Sequence, residues 1–268
     1  MPPIPKTLTA PTVQNLFTRA AQSGTLSAQT QTLLSGDLGP MLIAGASGRH
    51  VDDIQASEVT LVTVLIDRSS SIAGAKLTAA VIQGQHLLLD AFAGSKEKDA
   101  VLAALWTFAG DATVLHSYIP VDDAVRLDDK SYRPGGTTHL YDTWCDAAGA
   151  NVAYAQTLRD AGTPVRSIIV VITDGEDCGS KRPARVCKKL SEDLLKSEQF
   201  HLGFVGVGKD VDFKKVARAM GFNDGSILVQ TDTTTQALRA AFAMVSKSAI
   251  RASQGRIQPG PNAGFFAP

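Results

Sequence analysis

The chain has 268 residues, 44% hydrophobic and 19% charged, which suits one large globular domain with appendages and excludes a disordered chain. Its 26 basic and 26 acidic side chains cancel, so bulk charge offers nothing to nucleic acid or to an anionic membrane. Three cysteines (Cys145, Cys178 and Cys187) are too few, and odd in number, for a disulfide framework. Reduced, incidental thiols are expected, with proximity of Cys178 and Cys187 the alternative. The opening MPPIPKTLTAPTVQ lacks the apolar core of a signal peptide, and no 18-residue apolar run follows. A cytoplasmic protein with no membrane span is the expectation.

In chain order, residues 1–12 carry four of the twelve prolines and read as a loose arm. Helical patterning follows at Val13, Leu16, Phe17 and Ala20, then at Leu26, Leu33 and Leu34, with breaks near Gly24 and Gly36. MLIAGASGRH reads as a glycine-rich bend. From Val59 the chain alternates. Strands are expected at 59–66, 100–108, 113–119, 165–172, 200–207 and 227–229. Helices are expected at 75–92, 140–158, 184–196, 213–220 and 234–250. This order predicts an α/β fold, a doubly wound, mostly parallel six-stranded sheet with one antiparallel edge strand and helices on both faces. Residues 1–56 form an N-terminal extension with short helices, 57–252 the main domain, and 253–268 a flexible Gly/Pro-rich tail that carries Phe265 and Phe266.

In open sheets of this kind ligands bind beyond the carboxyl ends of the strands. Two oxygen-rich segments are expected there, Asp67-Arg-Ser69-Ser-Ser71 after the first strand and Thr173-Asp174-Gly175 after another. A third segment, RPGGTTHLYDTW, presents Thr137 and Thr138 at a glycine turn just before a helix. Asp67, Ser69, Ser71, a threonine and Asp174 make a set of hard oxygen donors without imidazole or thiolate. Such a set suits Mg²⁺, with Mn²⁺ or Ca²⁺ as alternatives, and disfavours zinc. Two carboxylates with neutral hydroxyls leave the ion electrophilic enough to take one more anionic oxygen.

These residues resemble the metal-ion-dependent adhesion site of von Willebrand factor A (integrin I-like) domains, over roughly residues 57 to 252. The resemblance implies a Rossmann-like fold with direct ligation by Ser69, Ser71 and, when ligand is bound, Thr137. Asp67 and Asp174 would act partly through water. Thr137 fits better than Thr138 because it follows the glycine pair. Thr138, His139, Glu176 and Asp177 are candidates for a partner-binding rim, although His139 also reads as a solvated loop residue and the acidic pair as a solvated turn.

Other chemistries fit less well. A haloacid-dehalogenase-type phosphatase needs an acid two residues after its aspartate, where Ser69 stands. No G-x-S-x-G elbow occurs. Gly203 to Lys209 satisfies G-x-x-x-x-G-K, but Asp210 replaces the hydroxyl residue and the segment lies within a strand rather than after one. Asp142 meets the dipole of the following helix and needs no other role. The expectation is a non-enzymatic, metal-dependent module that binds an Asp or Glu carboxylate of a partner protein. The alternative is an assembly component that docks through its extension or its tail, with the metal stapling loops.

Overall fold

The computed structural model describes residues 8–266. The six strands are β1 (Val59–Asp67), β2 (Val101–Phe108), β3 (Ala112–Pro120), β4 (Val165–Thr173), β5 (Phe200–Val207) and β6 (Ile227–Gln230). They lie in the order β3-β2-β1-β4-β5-β6, with only the β2–β3 pair antiparallel. β1 is buried along its whole length because it faces helices on both sides. Leu61 and Leu65 join one core, and Val62, Val64 and Ile66 the other.

One face is covered by α4 (Ser70–Gly74), α5 (Thr78–Ala93) and α9 (Thr235–Ser253). The other carries α1 (Ala10–Gln22), α2 (Ala28–Gly36), α3 (Pro40–Gly45), α6 (Leu140–Asp160), α7 (Ala184–Lys196) and α8 (Phe213–Ala219). The helix expected from Ala75 begins only at Thr78, because Lys76 adopts a left-handed φ of 57° that separates it from the short α4.

α6 explains its own composition. Its run of Ala and Gly lies between the sheet and the N-terminal helices, where larger side chains have no room. A Cβ at Gly149 would stand 3.0 Å from Leu42 Cδ1 and 3.5 Å from Phe17 Cζ, so α1 and α3 approach α6 through that glycine. The extension is thus part of the main core, with Val13, Leu16, Phe17 and Leu42 buried. Residues 1–7 of the expected arm lie outside the described residues, and helix has begun by Ala10. The first half of the expected bend at 41–50 is helix, the end of α3, whose Gly45 packs so closely on the Trp106 ring that a Cβ would lie 2.0 Å from Cζ2, and the chain turns only after it.

The tail expected to be flexible is packed in its described part. After α9 it turns at Gly255 and Gly260, both at positive φ, and returns along the sheet. Asn223 Nδ2 donates to the Ala263 and Pro261 carbonyls at 2.6 and 3.2 Å, the Phe265 amide donates to Ser226 Oγ at 3.2 Å, and the Phe266 amide to the Gly225 carbonyl at 2.9 Å. The Phe265 ring fills a slot left by Gly203, whose missing Cβ would lie 2.8 Å from Cδ1. The composition of the segment conceals this, since its buried anchors, Ile257 and Phe265, are two residues spaced along a Gly/Pro-rich stretch and the slot for Phe265 belongs to β5.

Beside Phe265 lies His201, buried, with Nε2 unpartnered among the described residues. Burial, helped by the Arg166 charge, lowers its pKa to about 4. The unfolded chain therefore binds this proton near pH 6.5 and the folded chain does not, so stability present above pH 6.5 is lost as pH falls towards 4. Between pH 7 and 4.5 the loss from this group should be about 2–3 kcal/mol. Urea unfolding of His201→Leu should show a correspondingly flatter acid limb than the wild type, and parallel limbs would contradict the assignment.

The alternative that brought Cys178 to Cys187 is corrected as well. Cys145 and Cys187 are the neighbours, with Sγ atoms 3.6 Å apart, while Cys178 is exposed. The α6–α7 packing that brings them together cannot be read from sequence spacing.

Candidate metal centre

The strand order reverses at β1, since the chain runs outward through β2 and β3, returns along α6, and continues from β4 on the other side of β1. A crevice at the carboxyl ends of β1 and β4 follows from that reversal. Asp67 ends β1, and Asp174 directly follows β4.

Three side-chain oxygens converge there. Ser69 Oγ lies 3.0 Å from Ser71 Oγ, Ser71 Oγ donates to Asp174 Oδ1 at 2.8 Å, and Ser69 Oγ donates to the same oxygen at 3.4 Å. The edges of this triangle are close to the oxygen–oxygen edge of an Mg²⁺ octahedron, about 3 Å for bonds near 2.1 Å. The donor set therefore fits a hard divalent cation. Among the described residues no group of three or more His, Cys, Asp or Glu side chains is placed to hold a metal, at this crevice or elsewhere.

Asp67 sits beneath the triangle. Its Oδ1 accepts from the Ser69 amide at 2.7 Å and its Oδ2 from Thr173 Oγ1 at 2.6 Å. Burial raises its pKa to about 6, against the lowering effect of the Thr173 and Ser69 hydrogen bonds, and Asp174 adds a smaller upward push. Burial also raises the Asp174 pKa. Two carboxyl groups both disposed to hold protons are the environment that a cation would reverse. Thr173, whose part the sequence pattern does not reveal, ties the site together through its hydroxyl, which lies 2.6 Å from Asp67 Oδ2 and 3.0 Å from the Gly175 carbonyl.

The third segment is pinned beside the other two. The Ser70 amide and hydroxyl both donate to the Gly136 carbonyl, at 3.1 and 2.9 Å, and the Gly135 amide donates to the Arg68 carbonyl at 2.7 Å. Gly136 takes a φ of 88°, which favours glycine there. Tyr132, from a stretch with no sequence signal, is buried and donates its hydroxyl to the Asp67 carbonyl at 2.5 Å. The two threonines separate: Thr137 is exposed and its hydroxyl meets Gly110 of the β2–β3 turn, whereas Thr138 is buried against Gly175.

The four candidate rim residues divide. Glu176 is exposed. Thr138 is an internal strut, its carbonyl accepting from the Cys178 amide at 2.7 Å. The His139 ring lies against Gly179, and its amide donates to the Ala109 carbonyl at 2.7 Å. Asp177 caps α6, accepting from the Tyr141 amide at 3.0 Å and from Ser180 Oγ at 2.5 Å. Asp142 has more to do than meet a helix dipole, because it accepts from the Lys181 and Arg182 amides at 2.8 and 2.9 Å. Arg182 then bonds Asp146, at 2.8 Å, and Asp37 of the extension, at 2.7 Å. The loop after Asp174 is thereby tied to α6 and to the end of α2. A cavity of about 610 Å³ lies elsewhere, at the opposite end of the sheet, beside Glu58, Lys96 and Leu102.

The sheet, parallel except for its antiparallel edge strand β3, and the helices on both its faces make a doubly wound α/β fold. No protein-family model and no curated protein matches the sequence. Among solved structures, the PilB minor pilin from Streptococcus sanguinis is similar with a TM-score of 0.51 at 12% identity, over 75% of this chain and 63% of the pilin. The pilus adhesin SpaC from Lactobacillus rhamnosus GG is similar with a TM-score of 0.53 at 12% identity, over 73% of this chain and 31% of the adhesin. A mussel byssus protein, proximal thread matrix protein 1 with a zinc-occupied MIDAS motif, gives a TM-score of 0.47 at 16% identity, over 73% of this chain and 46% of that protein, too loose a likeness to carry weight. The chain spans less than two thirds of each of these proteins. Among the described residues no helix is long and apolar enough to cross a membrane.

Proposed function

We propose that this chain is a non-enzymatic, metal-dependent protein-binding module. Ser69, Ser71 and Asp174 would hold a divalent cation, Mg²⁺ first and Mn²⁺ or Ca²⁺ in its place, with Asp67 beneath and Thr137 beside it. The cation would supply an electrophilic position for an Asp or Glu carboxylate of a partner protein. The observation that carries this reading is the oxygen triangle at the β1–β4 crevice, built from two separate segments and buttressed by the third. The chain's own residues do the positioning. The Asp67 carboxylate fixes the Ser69 backbone, Thr173 holds Asp67, and Ser70 holds the Thr137 loop at the rim. A carboxylate arriving at such a rim gains a charge-assisted bond that strengthens as water is excluded. The alternative of assembly through the tail is weakened because Phe265 is already buried within its own chain.

The test is calorimetric titration of MgCl₂ into chelator-stripped protein. Wild type should give a saturable heat that Asp67→Ala loses, and equal heats would end the metal assignment. A second arm selects Glu-bearing displayed peptides in Mg²⁺ and retests them in chelator. Binding that survives chelation would refute the metal-dependent half.

A further inference from the structure

Cys145 on α6 and Cys187 on α7 are both fully buried, and their sulfurs are in contact at 3.6 Å. Cys187 Sγ also faces the Tyr141 carbonyl at 3.5 Å. No other His, Cys, Asp or Glu is grouped with them as a metal set among the described residues. Sulfurs already in contact on adjacent helices are the pair of thiols in this fold placed to form an S–S bond of about 2.05 Å. Neither sulfur takes part in the oxygen site.

We propose that Cys145 and Cys187 form a dithiol–disulfide couple that joins α6 to α7 when the chain meets a disulfide oxidant. One cysteine thiolate attacks the oxidant, here glutathione disulfide, and expels one glutathione thiolate. The second cysteine thiolate then attacks the mixed disulfide and expels the other. The two cysteines lose two electrons and two protons, and the oxidant is reduced to two glutathione thiols. Because both sulfurs are buried, the bond forms while the chain folds or when α7 opens. Once formed it is shielded from reductant for the same reason. It closes the segment from 146 to 186, which carries β4 and Asp174, and it constrains the unfolded chain accordingly. Cys178, exposed on that segment, is the competing thiol.

The test uses the full chain carrying Cys178→Ser, an exposed change that leaves only the buried pair. It is unfolded and refolded in an oxidised/reduced glutathione buffer. The expected product is a monomer with no free thiol in denaturant. Its mass should be lower by two hydrogens, about 2 Da, and proteolysis should yield a cross-linked peptide containing Cys145 and Cys187. Its thermal midpoint should exceed that of the reduced form by about 5–10 °C. Two free thiols, a glutathione adduct or an intermolecular dimer as the main product would each overturn the proposal.

Discussion

Replacing Arg182 by alanine should lower stability at neutral pH by about 1–3 kcal/mol, the range for leaving a largely buried hydrogen-bonding group without its partner. The Arg182 side chain is 13% exposed and Asp146 16%. Burial, only partly offset by Arg182, already lifts the Asp146 carboxyl to about 6, and Asp37 and Asp142 push it the same way. Without the guanidinium it would rise further. The folded variant would then keep a proton that the unfolded chain releases above about pH 4, so its stability falls as pH rises through the raised pKa. The deficit relative to wild type should therefore be largest near pH 7.5 and shrink towards pH 4.5. Urea unfolding at both values measures this, and a deficit equal at the two would refute the account. Asp37→Asn, which removes a carboxylate that is 65% exposed, should cost less than about 1 kcal/mol.

Phe265→Ala should cost about 3–4 kcal/mol, as for other fully buried phenylalanines. The ring is 1% exposed and packs over Gly203, while the backbone bonds to Asn223, Ser226 and Gly225 remain. Gly203→Ala provides the cross-check. In the wild type the new methyl meets the ring at 2.8 Å and should destabilise. In the Phe265→Ala background the clash with the ring is gone and only a 3.2 Å approach to Val170 Cγ2 remains, so the double variant should be more stable than the two single losses summed. A change below about 0.5 kcal/mol for Phe265→Ala, the size usual for an exposed site, would mean that the segment is free in solution.

Much of this architecture is legible in the primary structure, for physical reasons visible in particular residues. Val59–Ile66 is apolar but for Thr60 and Thr63 and shows no strict alternation, as a strand covered on both faces requires. The run of small residues after Leu140 shows helical length and tight packing. The three oxygen-bearing segments are each local in sequence, so the inventory of hydroxyls and carboxylates is visible there. The misjudged stretches are those whose partners are remote. MLIAGASGRH reads as a bend because its glycines are common in turns, yet Gly45 serves the close approach to Trp106. The tail reads as loose because its slot is the missing side chain of Gly203. Asp142 and Asp177 read as surface acids because the amides they receive belong to loops and helix ends brought alongside only by folding.

What the amino-acid sequence determined by itself is the alternation of strand and helix and the inventory of oxygens, since periodicity and side-chain chemistry are properties of neighbouring residues. Only the tertiary structure decided that the strand order reverses between β1 and β4, which sets Ser71 and Asp174 within 2.8 Å of each other. It likewise decided that Cys187 meets Cys145 rather than Cys178, and that residues before Val59 and after Ser253 complete the core. Those outcomes depend on which apolar faces bury each other most fully, a property of the whole packed chain that no local pattern carries.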